Sequence, residues 1–309
     1  MEYHRTSHMD YFQHMEPKQG KMQQVEDRFD SGVDSLNSEE YNRIVEDMNQ
    51  LVVSSSDVDR NSFSCEEAWK SVLTEDGDTY LHLAVIHEAK DYAIQIISQS
   101  IKDPFLNRQN NQRQTALHLA VITEQPHIVE RLLKAGCDPR LVDDNGNTAL
   151  HIACKRGSMT CFSVLTQINT QHLRSILSFS NYNGHTCLHI ASIYSYLSMV
   201  ENLVQLGADI NAKEQCSGRT SLHLAVDLQN LPLVHQLIAL GADANSLTYG
   251  GYTPYHLTFG RHNSEIRQHL YERTAQNLRE LPESENEESE EESMSEDECM
   301  YDDFQFGGK

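Results

Sequence analysis

The chain has 309 residues, a formal net charge of −22 at pH 7 and a pI near 5.0. This acidic balance argues against direct binding of nucleic acid, although it is compatible with binding a basic protein that itself binds DNA. No apolar run reaches the length of a signal peptide or a membrane span, so the composition favours neither a secreted nor a membrane protein.

The N-terminal residues 1–36 are polar and lack hydrophobic periodicity, so we expect them to be disordered. They contain Asp30-Ser-Gly-Val-Asp-Ser35, which predicts an exposed loop that a protein kinase can reach. Phosphates on Ser31 and Ser35 would add about −3 to −4 of charge, enough to create a site for an arginine-lined receptor. The alternative is a solvated tail with incidental serines.

Two short helices are predicted before the central part of the chain. Asn37 caps the first, with Glu40 reaching back to it. Its apolar residues have a spacing that suits a nuclear export signal, and equally any small amphipathic helix: Ile44, Met48, Leu51 and Val53. A linker over residues 54–61 follows. The second helix begins after Ser64 and carries Trp69, which we expect to cover the exposed end of the first repeat rather than to bind a partner.

A six-residue pattern, T-x-L-H-x-A, organises residues 74–281. It begins at threonines 33 to 38 residues apart, the last in a looser form: Thr79, Thr115, Thr148, Thr186, Thr220 and Thr253. A period near 33 residues with this core resembles the ankyrin repeat. We therefore predict an all-α fold, a solenoid of six ankyrin repeats with hairpin fingers, which together with the capping helix spans residues 63–281.

The second repeat shows how one unit is built. Thr115 opens a short helix, and Gln125-Pro126 ends it. The following helix has one apolar face, formed by Ile128, Val129, Leu132 and Leu133. Gly136 stands where a left-handed C-terminal cap is needed, and the residues from Asp144 to Asn147 predict a tight hairpin turn. One helix pair cannot bury its apolar face alone, so neighbouring repeats must stack on it.

Each pattern contains one histidine, which invites a metal-site interpretation: His82, His118, His151, His189, His223 and His256. Ligands one repeat apart cannot converge on a single ion. We therefore predict a structural role, in which a ring nitrogen ties together the turn of its own repeat. The sequence indicates no metal and no cofactor.

The first repeat begins with three carboxylates that we expect on an exposed turn, namely Glu75, Asp76 and Asp78. Such a turn is either a solvated hairpin or an acidic dock for a basic peptide. The connection after the third repeat, through residues 170–174, is about five residues longer than the 33-residue period requires.

The sixth repeat departs from the pattern. Gly250 and Gly251 loosen its finger, and Thr258 replaces the alanine that packs between helices. A buried hydroxyl destabilises the fold unless it finds a hydrogen-bond partner, so we expect this repeat to be the least stable. Its last helix is predicted to end at Leu281-Pro282.

The composition changes in residues 282–309, which hold 12 acidic side chains and one lysine and carry a net charge of −11. Four serines precede a glutamate by three residues, as an acid-directed kinase requires: Ser284, Ser289, Ser293 and Ser295. The alternative is a tail that only improves solubility and promotes turnover. The domain boundaries predicted are therefore 1–62, 63–281 and 282–309.

Cysteine usage and catalytic motifs also restrict the function. None of the seven cysteines forms a C-x-x-C pair, and Cys154, Cys161 and Cys187 fall within repeat helices, which indicates reduced, mostly buried thiols in the cytosol or nucleus. The nearest approach to an H-E-x-x-H motif is His87-Glu88, where Asp91 replaces the second histidine. We therefore predict that the protein is not an enzyme.

The D-S-G-x-x-S motif upstream of ankyrin repeats resembles the inhibitors of NF-κB. Three further segments follow in the order that this family shows: Tyr249-Gly-Gly-Tyr252, Leu281-Pro-Glu-Ser284 and Tyr301-Asp-Asp-Phe304. The modest connection after the third repeat favours family members without a long insertion there.

The resemblance implies binding to Rel/NF-κB dimers, with the first repeat covering their nuclear localisation segment and the acidic tail, a PEST-like segment, covering their DNA-binding surface. It also implies partner contacts through the first acidic turn and through Tyr249 and Tyr252. An activating kinase complex would phosphorylate Ser31 and Ser35, and a ubiquitin ligase would read this phosphodegron. Lys21 is the expected ubiquitin acceptor, with Lys18 as a substitute.

The resemblance further implies a nuclear export receptor as partner and a cytoplasmic protein that shuttles through the nucleus. Two other functions remain open. A nuclear ankyrin cofactor of DNA-bound Rel dimers should lack the degron and the acidic tail, and this chain has both. A generic ankyrin adaptor would show no preference for Rel proteins.

Overall fold

A computed structural model describes residues 46, 68–168 and 170–282. The chain divides into two compact units, Met1–Ser71 and Val72–Lys309. Of the first unit the description includes Glu46 and a 3₁₀ turn, Ala68–Ser71, in which Nζ of Lys70 lies 5.7 Å from the ring centroid of Trp69. The role of Trp69 as a cover for the first repeat stays a prediction.

The second unit is built from helices that we number in chain order. They are α1 Tyr80–Ile86, α2 Lys90–Gln99, α3 Ala116–Ile122, α4 Pro126–Ala135, α5 Ala149–Arg156, α6 Met159–Ile168, α7 Thr170–Ser178, α8 Cys187–Ile193, α9 Leu197–Gln205, α10 Ser221–Asp227, α11 Leu231–Ala239 and α12 Ser264–Arg273. Shorter 3₁₀ turns lie at Pro104–Asn107, His256–Thr258 and Gln276–Leu278. Residues 72–168 and 170–282 contain no β-strand. The predicted all-α fold is confirmed for these residues.

The first helix of each repeat, which we call the inner helix, begins just after the threonine of the repeated pattern. This threonine and the histidine three residues later form a reciprocal hydrogen-bonded pair, which we call the Thr–His box. In the second repeat the N–H of Thr115 donates to Nδ1 of His118 at 3.1 Å, and the N–H of His118 lies 3.4 Å from the threonine hydroxyl. The box satisfies main-chain donors that a helix N-terminus otherwise leaves unpaired. The predicted tie between the histidine ring and the turn of its own repeat is therefore confirmed.

Neighbouring repeats stack helix on helix. Inner helices follow one another in the order α1, α3, α5, α8 and α10, and outer helices pack in the same way, α2 on α4 and α4 on α6. Between them lie fully buried side chains such as Leu117, Ile128 and Leu132. Burying one such side chain stabilises a fold by roughly 1.5–3 kcal/mol, which a single helix pair could not obtain alone.

The extra residues after the third repeat form a helix rather than a longer connection. Helix α7 covers Thr170–Ser178 and buries Leu173, Ile176 and Leu177. Their spacing of three and four residues places them on one face of the helix, so the insertion contributes to the core.

The sixth repeat has the 3₁₀ turn His256–Thr258 in place of an inner α-helix. The hydroxyl of Thr258 is buried and donates to the carbonyl of Tyr255 at 2.7 Å, so it has the partner that burial requires. A hydroxyl that bonds a carbonyl three residues earlier competes with the main-chain hydrogen bonds of an α-helix. The relative stability of this repeat stays a prediction.

The predicted end of the last helix at Leu281-Pro282 is wrong, because α12 ends at Arg273. Thr274 leaves the helix with extended backbone, and its buried hydroxyl donates to the carbonyl of Leu270 at 2.9 Å. The change to extended backbone at Thr274 ends the helix, and the hydroxyl bond supplies a partner for a buried polar group.

Asp227, at the end of α10, joins the sixth repeat to the fifth. Its two carboxylate oxygens each lie 2.9 Å from a guanidinium nitrogen, one of Arg219 and one of Arg261. Burial raises the pKa of Asp227, and the two guanidinium groups act in the opposite direction. The pairing compensates for burial of the carboxylate and ties the turn after the 3₁₀ helix to the preceding repeat.

Candidate partner-binding surface

The turn before each inner helix is called the finger here. A polar side chain within each finger holds the turn by accepting hydrogen bonds from its main-chain N–H groups. In the third repeat Oδ1 of Asp143 accepts hydrogen bonds from the N–H groups of Asn145 and Asn147 at 2.9 and 2.7 Å. Asn110, Asn181 and Glu214 serve the same role in their own fingers. These residues stand five or six positions before the box threonine. Sequence reasoning missed them, although their regular spacing from the threonine was a signal.

The fingers are joined to one another by main-chain hydrogen bonds, which we call the finger ladder. The N–H donors and carbonyl acceptors are Asn111 and Asp76 at 2.9 Å, Asp144 and Gln112 at 3.1 Å, Tyr182 and Asn145 at 3.0 Å, Gln215 and Gly184 at 3.3 Å, and Tyr249 and Ser217 at 2.9 Å. The ladder holds successive fingers in register, so side chains that project from them keep a defined spacing.

The box histidines also bond to the next repeat, which sequence reasoning did not anticipate. Nε2 lies close to a main-chain carbonyl there: His82 with Gln114 at 3.2 Å, His118 with Asn147 at 3.2 Å, His151 with Phe179 at 3.2 Å, His189 with Ala212 at 3.0 Å, and His223 with Tyr252 at 3.1 Å. Because Nδ1 accepts a hydrogen bond from the threonine N–H, we assign the proton to Nε2 and a neutral ring.

Burial favours the neutral form in four of these rings. It lowers the pKa of His82, His189 and His223 to about 4 and also lowers that of His118. At His151 burial also acts to lower the pKa, but Cys187 beside the ring raises it, and the pKa lies above its usual value. The box histidines therefore serve the structure, one nitrogen within the repeat and one toward its neighbour. Among the described residues no group of three or more histidine, cysteine, aspartate or glutamate side chains is placed to hold a metal ion.

Exposed tyrosines project from the fingers. Tyr249 is 64% exposed and its ring lies against Gly218, where an added side chain would meet it at 2.7 Å. Tyr182 is 62% exposed, covers Gly146 in the same way and accepts a hydrogen bond from Nη1 of Arg113 at 3.1 Å. Sequence reasoning named Tyr249 but not Tyr182, although both stand four residues before a box threonine. Tyr252 is also exposed.

The first finger carries exposed carboxylates at Glu75 and Asp76. Its main chain is held by Asn111, whose N–H and side-chain amide donate to the carbonyls of Asp76 and Glu75, both at 2.9 Å. The two carboxylates are therefore presented by an ordered turn, as a dock for a basic peptide requires.

Asp78 does not belong to this exposed group, so its predicted placement is wrong. It is only 7% exposed, and its Oδ1 accepts a hydrogen bond from Nδ2 of Asn110 at 3.0 Å. Burial raises its pKa, while the bond from Asn110 lowers it. The residue lies one position before the box threonine, where the next finger covers it, and it joins two repeats instead of facing a partner.

The cysteines in the described part of the chain are free thiols. Cys137, Cys154, Cys161 and Cys187 are buried and Cys216 is exposed. Burial raises the pKa of Cys137 to about 12, which keeps that thiol protonated and unreactive.

Most of the predicted regulatory residues lie outside the described residues. These are Lys18, Lys21, Ser31, Ser35, Ile44, Met48, Leu51, Val53, Ser284, Ser289, Ser293 and Ser295. The same applies to the expected disorder of residues 1–36, the linker 54–61 and the acidic segment beyond Pro282. None of the helices in the described part is long and apolar enough to cross a membrane.

Comparison with known proteins first defines the class. Models described as "Ankyrin repeats (3 copies)" match residues 44–143 and 123–214, and one described as "Ankyrin repeat" matches residues 217–246. The crystal structure of the ankyrin repeat domain of Bcl-3, described as a unique member of the IkappaB protein family, is similar with a TM-score of 0.59 and 36% identity. That match covers 65% of this chain and 88% of the Bcl-3 chain. The protein is an ankyrin-repeat protein.

Sequence comparison defines the family. NF-kappa-B inhibitor alpha of Homo sapiens is 57% identical over 302 residues, which cover 95% of this chain and 94% of that protein. NF-kappa-B inhibitor alpha of Gallus gallus is 50% identical over 296 residues, covering 94% and 92%. The chain belongs to the NF-kappa-B inhibitor family, and the resemblance noted from its motifs is confirmed.

Proposed function

We propose that this protein binds Rel/NF-κB dimers and inhibits them by covering their nuclear localisation segment and DNA-binding surface. The observation that carries the proposal is its similarity to NF-kappa-B inhibitor alpha over 95% of the chain. The geometry supports it, because the finger ladder connects exposed carboxylates at Glu75 and Asp76 with exposed rings at Tyr249 and Tyr252. A basic segment and an apolar surface of one partner could therefore be bound by one continuous edge.

The distribution of charge supports the DNA-competing part of the proposal. Residues 282–309 carry −11 of the total charge of −22. A surface that binds DNA phosphates is basic, so the acidic segment is attracted to it and competes with the nucleic acid for the same positive charges. We propose that this segment occupies the DNA-binding surface of the dimer.

The proposal predicts that the full chain releases DNA from a Rel dimer. With a labelled DNA site the release is followed by fluorescence anisotropy, and it should be faster at low salt, where the attraction is less screened. A chain without residues 282–309 should still bind the dimer but release DNA more slowly. If the full chain joins the complex and the DNA stays bound, the protein is a cofactor of DNA-bound dimers. If no Rel dimer binds, it is a generic adaptor.

Regulation by destruction is a further part of the proposal. We propose that an activating kinase complex phosphorylates Ser31 and Ser35, that a ubiquitin ligase reads the phosphates, and that ubiquitin is attached to Lys21 or, in its place, Lys18. The support is the D-S-G-x-x-S motif over residues 30–35 with lysines ten and thirteen residues before Ser31. Catalysis by the protein itself forms no part of this mechanism.

The variant Ser31→Ala/Ser35→Ala should resist loss of the protein after stimulation of cells, because neither hydroxyl can then receive a phosphate. Immunoblots after stimulation compare its half-life with that of the wild type, while a pull-down checks that Rel binding is unchanged. Ser54→Ala/Ser55→Ala is the matched control and should be lost at the wild-type rate. Equal degradation of both variants would show that the motif is not the degron.

Transport of the protein between nucleus and cytoplasm is the last part of the proposal. We propose that Ile44, Met48, Leu51 and Val53 bind a nuclear export receptor and that the protein is mainly cytoplasmic. The support is their helical spacing in the segment that Asn37 and Glu40 begin. The acid-directed kinase sites at Ser284, Ser289, Ser293 and Ser295 are proposed to adjust turnover through the charge of the tail.

A further inference from the structure

The second finger differs from the others in its backbone. Two residues before the box threonine the main chain of each finger is left-handed, and five of the six fingers have glycine there: Gly77, Gly146, Gly184, Gly218 and Gly251. The second finger has Arg113 instead, with a φ of +56°. Left-handed backbone is unfavourable for a residue with a side chain, so Arg113 strains a turn that glycine would relax. A side chain held in strained backbone is a candidate for function.

The side chain of Arg113 reaches past the third finger to the fourth. Its Nη1 donates to the hydroxyl oxygen of Tyr182 at 3.1 Å. The ring of Tyr182 covers Gly146 of the third finger, where an added side chain would meet it at 2.6 Å. The N–H of Tyr182 is fixed by its ladder bond to the carbonyl of Asn145 at 3.0 Å. The hydroxyl, the ring and the main chain of this tyrosine therefore each have a defined contact.

The two side chains, which we call the Arg–Tyr pair, keep unused hydrogen-bond donors. A guanidinium has five N–H groups in a planar fork, and Arg113 spends one of them on Tyr182. The hydroxyl of Tyr182 accepts that bond, and its own hydrogen has no acceptor among the described residues. Both side chains are exposed. A bond from a cation to the phenol oxygen polarises the O–H group, which makes it a stronger donor.

The unused donors and the charge of the Arg–Tyr pair indicate what it binds. The pair offers a positive charge, several N–H groups and one O–H group on an exposed edge. A carboxylate matches this set, because its oxygens can accept from the guanidinium and from the phenol at the same time. The first finger carries the opposite charge on the same edge, at Glu75 and Asp76. A partner that lies along the fingers therefore needs a basic group at one place and an acidic group at another.

We propose that Arg113 and Tyr182 together bind a carboxylate side chain of the Rel dimer, beyond the basic segment that the first finger takes. This inference rests on the proposed function and adds a specificity element to it. Binding the carboxylate would offset the strain that Arg113 places on the second finger. Dimers that lack an acidic side chain at this place would leave the donors unpaired and bind more weakly.

The variant Arg113→Gly separates stability from binding. Its urea midpoint should increase, because glycine relaxes the left-handed turn. Its affinity for a Rel dimer, measured by calorimetry with the full chain at about 0.15 M salt, should decrease roughly tenfold, because the charged donors are lost. Lys102→Gly is the matched control, since Lys102 is an exposed cation with a φ of +61° in the turn after α2. This control should leave the affinity unchanged.

Two further variants identify the charge and the sharing of the bound group. Arg113→Glu should weaken binding more than Arg113→Gly, because it repels a carboxylate. Tyr182→Phe keeps the ring over Gly146 and removes the hydroxyl, so it should weaken binding severalfold in the wild-type background. It should have much less effect in the Arg113→Gly background, since both side chains contact the same group.

Three results would overturn the inference: unchanged affinity of Arg113→Gly, tighter binding by Arg113→Glu, or fully additive effects of Arg113→Gly and Tyr182→Phe. Tighter binding by Arg113→Glu would mean that the partner places a basic group there, and additivity would mean that the two side chains contact different groups. If no Rel dimer binds the wild type, the proposed function fails as well. If the wild type binds and Arg113→Gly binds equally, only this inference fails.

Discussion

The free energy of unfolding should be about 4 kcal/mol lower at pH 5.5 than at pH 7.5. This is the contribution of three box histidines alone. Burial lowers the pKa of His82, His189 and His223 from 6.5 to about 4. Between these values the unfolded chain binds protons that the folded chain excludes. The free energy of unfolding therefore has its full value above pH 6.5 and falls as the pH decreases toward 4, by about 1.4 kcal/mol per histidine and pH unit.

Urea denaturation followed by circular dichroism at the two pH values measures this loss. Against a total stability of roughly 5–15 kcal/mol, the denaturation midpoint should shift clearly to lower urea at pH 5.5. Asp78 and Asp227, whose pKa burial raises, act in the opposite direction at more acidic pH. The variant His127→Gln, which changes an exposed ring, should keep the full dependence. Identical midpoints at both pH values would contradict the neutral, buried boxes.

Replacing a single box histidine should also have a large effect. His118→Ala removes the acceptor for the N–H of Thr115 and the donor to the carbonyls of Leu141 and Asn147, which lie 3.1 and 3.2 Å from Nε2. It also leaves a cavity, because the ring is almost fully buried. Lost hydrogen bonds and the cavity together should destabilise the protein by about 3–5 kcal/mol.

The matched control for this variant is His127→Ala on the outer helix α4, where the side chain is exposed. Its urea midpoint should stay close to the wild-type value, since surface substitutions usually change stability by no more than about 0.5 kcal/mol. If His118→Ala were equally harmless, the histidine would not connect the second repeat to the third, and its hydrogen bonds would contribute nothing to stability.

Much of the fold could be predicted because its determinants are local. The Thr–His box joins residues three apart, and Gly136 adopts the left-handed φ of +102° that its place after α4 requires. The apolar face of that helix also follows from a spacing of three and four residues. Motifs of this kind predict local structure from a single repeat, and their recurrence at a constant period strengthens the prediction.

The remainder depends on contacts between repeats, which a local pattern does not contain. The carbonyl that accepts the proton of His82 belongs to Gln114, 32 residues away. Asp78 is buried by Asn110, also 32 residues away, so a run of carboxylates in the sequence did not reveal which one is covered. The end of α12 at Arg273 was not legible in the sequence, since the sequence pattern has no breaker before Pro282.

The finger ladder has a mechanical consequence. Each of its bonds connects one repeat only to the next, as between Asn111 and Asp76 or between Tyr249 and Ser217. The outermost repeat is held by a neighbour on one side only, so a force applied to a terminus should detach that repeat before those further in. Extension should then proceed in steps of one repeat, each releasing about 110 Å of chain for a period near 33 residues. A protein complex that pulls on one terminus would therefore unfold the stack over a series of small free-energy barriers instead of one large one.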